Sequence, residues 1–199
     1  MSAFWITNPV FSPSHLYKNH FQKIATFVQR VMLAVLLLAS AASAQLKIMP
    51  LGDSITDGDG SSNNAAYRSG LYARLTNEGI AFDFVGSLSN GSGFPDTQHE
   101  GHGSFRADMI RDNVKSYLQK NPANLVLLQI GTNDLGQNQT VGSTRDELGE
   151  IVDNIFQFNA LIEIYLATLT PRKDGKQANV EELNALLPEL VNLKKAQGL

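Results

Sequence analysis

The segment Asn124-Leu125-Val126-Leu127-Leu128-Gln129-Ile130-Gly131-Thr132-Asn133-Asp134 decides the fold class. An almost unbroken apolar run, closed by glycine and then by polar turn residues, reads as a β-strand buried on both faces. Such strands belong to parallel sheets, which need helices between their strands and over both faces. The surrounding sequence supplies them. Upstream, Ala107 to Lys120 has helical spacing with Met109, Ile110, Val114 and Leu118 directed inward, and Pro122 marks its end. Downstream, Ser143 or Thr144 is placed to cap a helix running to about Asn159, which buries Leu148, Ile151, Val152 and Ile155.

The alternation continues outward in both directions. Leu46 to Pro50 reads as a first strand, closed by Gly52, and Phe82 to Gly86 as a second. Between them Ala65 to Glu78 has helical spacing, with Leu71 and Leu75 on one face and Gly79 as the stop. Leu161 to Thr168 reads as a fourth strand. A last helix, Val180 to Gln197, buries Val180, Leu183, Leu187 and Leu190, is interrupted by Pro188 and ends at Gly198. This predicts an α/β fold whose functional loops lie at the carboxyl ends of the strands.

Residues 1–44 read differently. They carry Lys18, Lys23 and Arg30 without any acidic residue, then an apolar run from Val31 to Ala44 ending Ala42-Ser43-Ala44. That is the pattern of a secretory signal peptide, too short to span a bilayer. The expected domain is therefore residues 45–199, secreted and without stable membrane association. It holds 13 basic residues against 19 acidic, a balance that disfavours nucleic acid as a partner. The chain has no cysteine, so disulfides and thiolate metal sites are excluded. Two acceptor triplets for N-glycosylation, Asn90-Gly91-Ser92 and Asn138-Gln139-Thr140, fit export.

Three segments at strand ends carry chemistry: Gly52-Asp53-Ser54-Ile55-Thr56, Val85-Gly86-Ser87 and Gly131-Thr132-Asn133-Asp134. Ser54, held at a tight turn eased by Gly52, suits a nucleophile. Its backbone N–H, that of Gly86 and the side-chain amide of Asn133 are three donors suited to the negative oxygen of a tetrahedral intermediate. A missing side chain at Gly86 would let substrate approach that N–H closely. Singly, Gly-Asp-Ser is a common turn and Asn-Asp a common helix cap; together, each after its own strand and in this order, they are hard to explain as turns and fit a hydrolase. Other motifs fail on spacing. His99-Glu100-Gly101-His102 lacks the H-E-x-x-H interval, and a calcium loop from Asp57 would place Arg68 where glutamate is needed. There is no G-x-S-x-G elbow and no P-loop lysine. No metal or other cofactor is expected.

At these blocks the chain resembles the SGNH (GDSL-type) hydrolases, over essentially all of residues 46–199. Ile48 to Thr56 and His99-Glu100-Gly101-His102-Gly103 look most like the carbohydrate-esterase branch that contains fungal acetylxylan esterases, in which Tyr67 and Arg68 also recur as a pair. The resemblance implies a flavodoxin-like three-layer α/β/α sandwich, Ser54 as nucleophile, Gly86 and Asn133 completing the oxyanion hole, and an acetylated polysaccharide or small ester as substrate. It also implies a fifth strand followed by Asp-x-x-His, yet no histidine follows His102. The expectation is thus a chain cut short of its general base, weak as a catalyst, with an exposed edge on the fourth strand that favours aggregation. A general lipase or acylhydrolase, or a carbohydrate-binding remnant without turnover, are the alternatives.

Overall fold

The computed structural model describes residues 45–199, which form one unit; the expected signal segment, 1–44, lies outside the described residues. Strand β1 (Leu46–Gly52) is the axis of the sheet and is buried from Ile48 onward. Along one edge it pairs in parallel with β5 (Leu125–Gln129), from Ile48 opposite Leu125 to Gly52 opposite Gln129. Its other edge is divided. The short strand β2 (Phe82–Phe84) takes the lower half, opposite Leu46 to Ile48, and β4 (Gln98–Gly101) takes the upper half, opposite Leu51 and Gly52. Both run parallel to β1, while β3 (Leu88–Ser89) pairs antiparallel with β4. Strand β6 (Glu163–Leu166) extends the sheet from β5.

The helices in chain order are α1 (Ser54–Asp57), α2 (Tyr67–Asn77), α3 (Ala107–Lys120), α4 (Thr132–Gly136), α5 (Val141–Phe158) and α6 (Gln177–Ala196). On α3, Ile110, Val114 and Leu118 recur every fourth residue and are fully buried. With Leu148, Ile151 and Ile155 of α5 and Val180, Leu183, Leu187 and Leu190 of α6 they pack on Met49, Leu51, Val126 and Leu128. Each such side chain contributes about 1.5–3 kcal/mol on full burial. This is the main core. The expected α/β architecture, a mostly parallel sheet flanked by helices, is present.

Several expectations are corrected. Among the described residues six strands form where four were read: residues 98–101 are a strand, although three of the four are polar. Their pairing to β1 and β3 overrides that composition, and His99 and Glu100 are buried in the process. Strand two stops at Phe84, and the fourth expected strand is confined to Glu163–Leu166. The cap of α5 is Thr140, whose hydroxyl accepts from the Ser143 N–H at 3.1 Å. Ser143 and Thr144 lie inside the first turn. Met109 is only half-buried, and α6 continues through Pro188.

Strand β5 is not buried on both faces. Val126 and Leu128 are covered by the main core, whereas Leu125 and Leu127 line an apolar groove of about 430 Å³ with Leu46, Ile48, Leu71 and Leu75. Among the described residues α2 is the one long helix on that face, and its Leu71 and Leu75 are half-buried. Strand β6 is the outermost strand on its side, with Tyr165 60% exposed and Ile164 half-buried on the opposite face.

Candidate active site

The upper ends of β1, β2 and β5 bring the three segments of interest to one edge of the sheet. At the end of β1 the chain passes through Gly52. A Cβ there would sit 2.2 Å from the Gln129 carbonyl oxygen and 2.5 Å from Thr56 Oγ1, so the glycine is demanded by the close approach of β5 and α1. Asp53 then leaves the strand in an extended conformation, and its Oδ1 accepts from the Ile55 N–H at 2.9 Å, capping α1. Ser54 is the first residue of this one-turn helix. Its carbonyl accepts from Gly58 and Asp59 at 2.9 Å each. Its N–H and Oγ have no partner among the described residues.

Gly86 follows β2 where the chain leaves the sheet. The preceding N–H, of Val85, still donates to Ile48 at 2.8 Å, while the Gly86 N–H is unpaired among the described residues. A Cβ on Gly86 would lie 2.1 Å from the His99 carbonyl oxygen. The returning strand β4 therefore requires the glycine by itself. Asn133 lies in α4, directly beyond β5, where Gly131 adopts φ +123°. Its Nδ2 donates one hydrogen to the Phe105 carbonyl at 2.8 Å and keeps a second.

Its neighbour Asp134 is fully buried and accepts from the Ala107 N–H with both oxygens, at 3.0 and 3.2 Å. It caps α3, so half of the Asn-Asp pair is a helix cap in space though not in sequence. Arg172, from the loop after β6, donates to the Thr132 carbonyl and, at 2.8 Å, to Thr132 Oγ1. That guanidinium ties the loop to the Asn133 turn.

The two histidines of the expected loop are engaged elsewhere. His99 is a buried residue of β4. Its Nδ1 accepts from the Gly101 N–H at 3.0 Å, which leaves the proton on Nε2, 3.5 Å from Asp57 Oδ1. Burial, and then the Arg68 charge, push its pKa down to about 4, so it is neutral near pH 7. His102 is held by Glu100 through Nε2 and stacks on Phe105 and Tyr117. Neither forms a hydrogen bond with Ser54. Sequence reading gave Glu100 no role of its own and took Arg68 only as half of a recurring pair with Tyr67. Arg68 is fully buried and bonds five backbone carbonyls. The available signal was the polar strand itself, since buried charge survives only where it is bonded.

Burial pushes the Asp53 carboxyl up to about 6 from 3.8; Asp134 adds to this, and the Ile55 N–H and the Arg172 charge oppose it. The folded protein thus holds this proton more tightly than the unfolded chain. The associated stability is complete below pH 3.8 and is lost as pH rises through about 6. Relative to Asp53→Asn, which keeps the oxygen facing Ile55, the wild type should lose about 3 kcal/mol between pH 3 and pH 7. Urea unfolding of both proteins across that interval is the check. A constant difference would refute the shift.

With this geometry established, comparison places the chain. The profile of the GDSL-like lipase/acylhydrolase family matches residues 51–197. The chain belongs to that family, and with it to the carboxylic ester hydrolases. Among solved structures it is similar to a family 3 carbohydrate esterase from Clostridium thermocellum, with 34% identity over 77% of this chain and 74% of that one and a TM-score of 0.71. A family 3 carbohydrate esterase from Talaromyces cellulolyticus shares 25% identity over 75% and 73%, with a TM-score of 0.65. The SGNH-hydrolase family esterase AlinE4, at 19% identity over 75% and 72% and a TM-score of 0.58, shares the fold. No curated protein sequence matches the chain.

Proposed function

We propose that this protein is a secreted esterase acting on O-acetyl groups of plant cell-wall polysaccharide such as xylan. Ser54 is the nucleophile, and the Ser54 N–H, the Gly86 N–H and the second Asn133 N–H form the oxyanion hole. One observation carries this reading. Three N–H groups at adjacent strand ends, beside an unpaired serine hydroxyl, are left without partners among the described residues. Donors held ready in this way stabilise negative charge as it develops on the carbonyl oxygen, and losing one costs about 10²–10³-fold in rate. The similarity to family 3 carbohydrate esterases supports a sugar ester as the substrate.

The weak link is the base. Attack by a serine hydroxyl needs a neighbouring group to take its proton, and no described side chain bonds Ser54 Oγ. A carbohydrate-binding role without turnover is the second reading, favoured by the absence of a described side chain bonded to Ser54 Oγ. Acetate release from acetylated xylan, measured beside binding to the same polymer, separates them. Release that imidazole raises and that Ser54→Ala then removes supports the esterase. Binding without release supports the second reading. Preferential cleavage of long-chain acyl esters would instead indicate a general acylhydrolase.

Export predicts glycosylation, and the two acceptor sites differ sharply. Asn90 Nδ2 donates to Asp57 Oδ1 while its Oδ1 accepts from the buried Arg68. A glycan on that nitrogen would replace one of its two hydrogens and crowd the part-buried contact with Asp57. Asn138 is exposed and bonds only Lys176 Nζ through its oxygen. Expression in a glycosylating host should add one glycan, removed by Asn138→Gln and unaffected by Asn90→Gln; a mass spectrum showing a glycan on Asn90 would contradict this.

A further inference from the structure

The Glu100 carboxylate is fully buried and has no Lys or Arg partner among the described residues. Three donors satisfy it. The Ser87 N–H reaches Oε2 at 2.7 Å, the Ser87 hydroxyl reaches Oε1 at 2.6 Å, and His102 Nε2 lies 3.1 Å from Oε1. Burial would raise its pKa, but the bonds from His102 and Ser87 outweigh that and hold it below the ordinary carboxylate value. A buried charge costs several kcal/mol unless its geometry is good. This one sits one residue from Gly86, and a glycine has no side chain to fix its own torsions. The Val85 N–H bond to Ile48 pins the Phe84–Val85 peptide and Glu100 pins the Gly86–Ser87 peptide, so the peptide that carries the Gly86 N–H is held from both sides.

The same short segment reaches the other two donors. The His102 N–H donates to the Gly52 carbonyl at 2.9 Å, two residues before Ser54. The His102 ring stacks on Phe105, centroids 4.7 Å apart, and on Tyr117 at 4.8 Å. The Phe105 carbonyl in turn takes one hydrogen of the Asn133 amide. Residues 100–105 thus touch Gly52, Ser87 and Asn133, one for each donor.

We propose that Glu100 and His102 are positioning residues: as a bonded pair they set the spacing of the three oxyanion donors, Glu100 through the Gly86–Ser87 peptide and His102 through Phe105 and Asn133. The inference rests on the esterase reading for what the donors do, but not for the coupling itself. A structural role confined to one loop would leave Asn133 indifferent to Glu100.

The test uses the full chain and three variants. His102→Phe keeps a ring for Phe105 and Tyr117 but cannot donate to Glu100; His102→Gln restores a nitrogen donor; Glu100→Gln removes the charge. In ¹H–¹⁵N spectra the backbone amides of Gly86 and Ser87 and the Asn133 side-chain amide should shift together in His102→Phe and Glu100→Gln, and return toward wild type in His102→Gln. In imidazole-supported hydrolysis of 4-nitrophenyl acetate, the first two variants should lose about 10–100-fold in kcat with KM changed less than about twofold, the scale of a small misplacement of reacting groups. Shifts confined to Ser87, with Asn133 unmoved, would overturn the proposal whatever the catalysis. A wild type without Ser54-dependent turnover would sink the esterase reading and leave the spectra to decide the coupling.

Discussion

Imidazole added to the full chain should raise its hydrolysis of 4-nitrophenyl acetate by about a hundredfold or more, and Ser54→Ala should abolish that gain. A positioned general base contributes about 10²–10⁴-fold, and nothing described supplies one to Ser54 Oγ. The three N–H groups proposed as oxyanion donors, by contrast, have no other partner among the described residues. A diffusing base recovers only part of the effect, because it lacks the positional advantage of a tethered side chain. Members of a serine triad act as a unit, so removing one costs nearly as much as removing all. Without imidazole, Ser54→Ala should therefore change the rate little; with imidazole it should change it greatly. The uncatalysed reaction of imidazole with the ester is subtracted. Equal rates for wild type and Ser54→Ala at high imidazole would remove Ser54 from the mechanism.

Arg68→Met should destabilise the fold by about 4 kcal/mol, a large share of the roughly 5–15 kcal/mol that holds a domain folded. The Arg68 guanidinium is fully buried. It donates to the carbonyls of Thr56 at 3.0 Å, Asp57 at 2.7 Å, Asn64 at 3.2 Å, Asn90 at 3.1 Å and Thr97 at 2.9 Å, and to Asn90 Oδ1. These acceptors come from α1, the loop after it, and the excursion between β2 and β4. Methionine fills the volume and bonds none of them, and each orphaned buried carbonyl costs about 1–3 kcal/mol unless water reaches it. Lysine should rescue little, because an ammonium offers no planar fork of five donors. The urea midpoint is the measurement, and a change below 1 kcal/mol would mean that water replaces the guanidinium.

Much of this was legible because burial leaves a period in the text. Val126, Leu128 and Ile130 of the run before Gly131, and the stripes of α3 and α6 at three- and four-residue spacing, are imposed by packing and lie in the main core. The turn segments were legible as chemistry because each closes a strand. What stayed hidden depends on contacts distant in sequence. Residues 98–101 have no strand pattern, since their buried side chains are satisfied by Ser87 and Gly101 rather than by an apolar layer. Asp134 caps a helix 27 residues earlier. The reason for Gly86 is a strand that returns 13 residues later. Leu125 and Leu127 look buried in sequence because the text records hydrophobicity and not whether a layer covers it.

The divided edge of β1 has a consequence for how such a protein can change. Departure at Val85 and return at Glu100 are both secured to one strand, so the chain between them is fenced at either end. Residues 88–97 can be exchanged or lengthened at small entropic cost, about 0.6 kcal/mol for each doubling of loop length, provided Asn90 and Thr97 keep their carbonyls on Arg68. New surface for recognising a different ester can then be drafted beside Gly86 without moving it. The fold separates the part that must stay fixed from the part that is free to diverge, and the boundary runs through a single strand's edge.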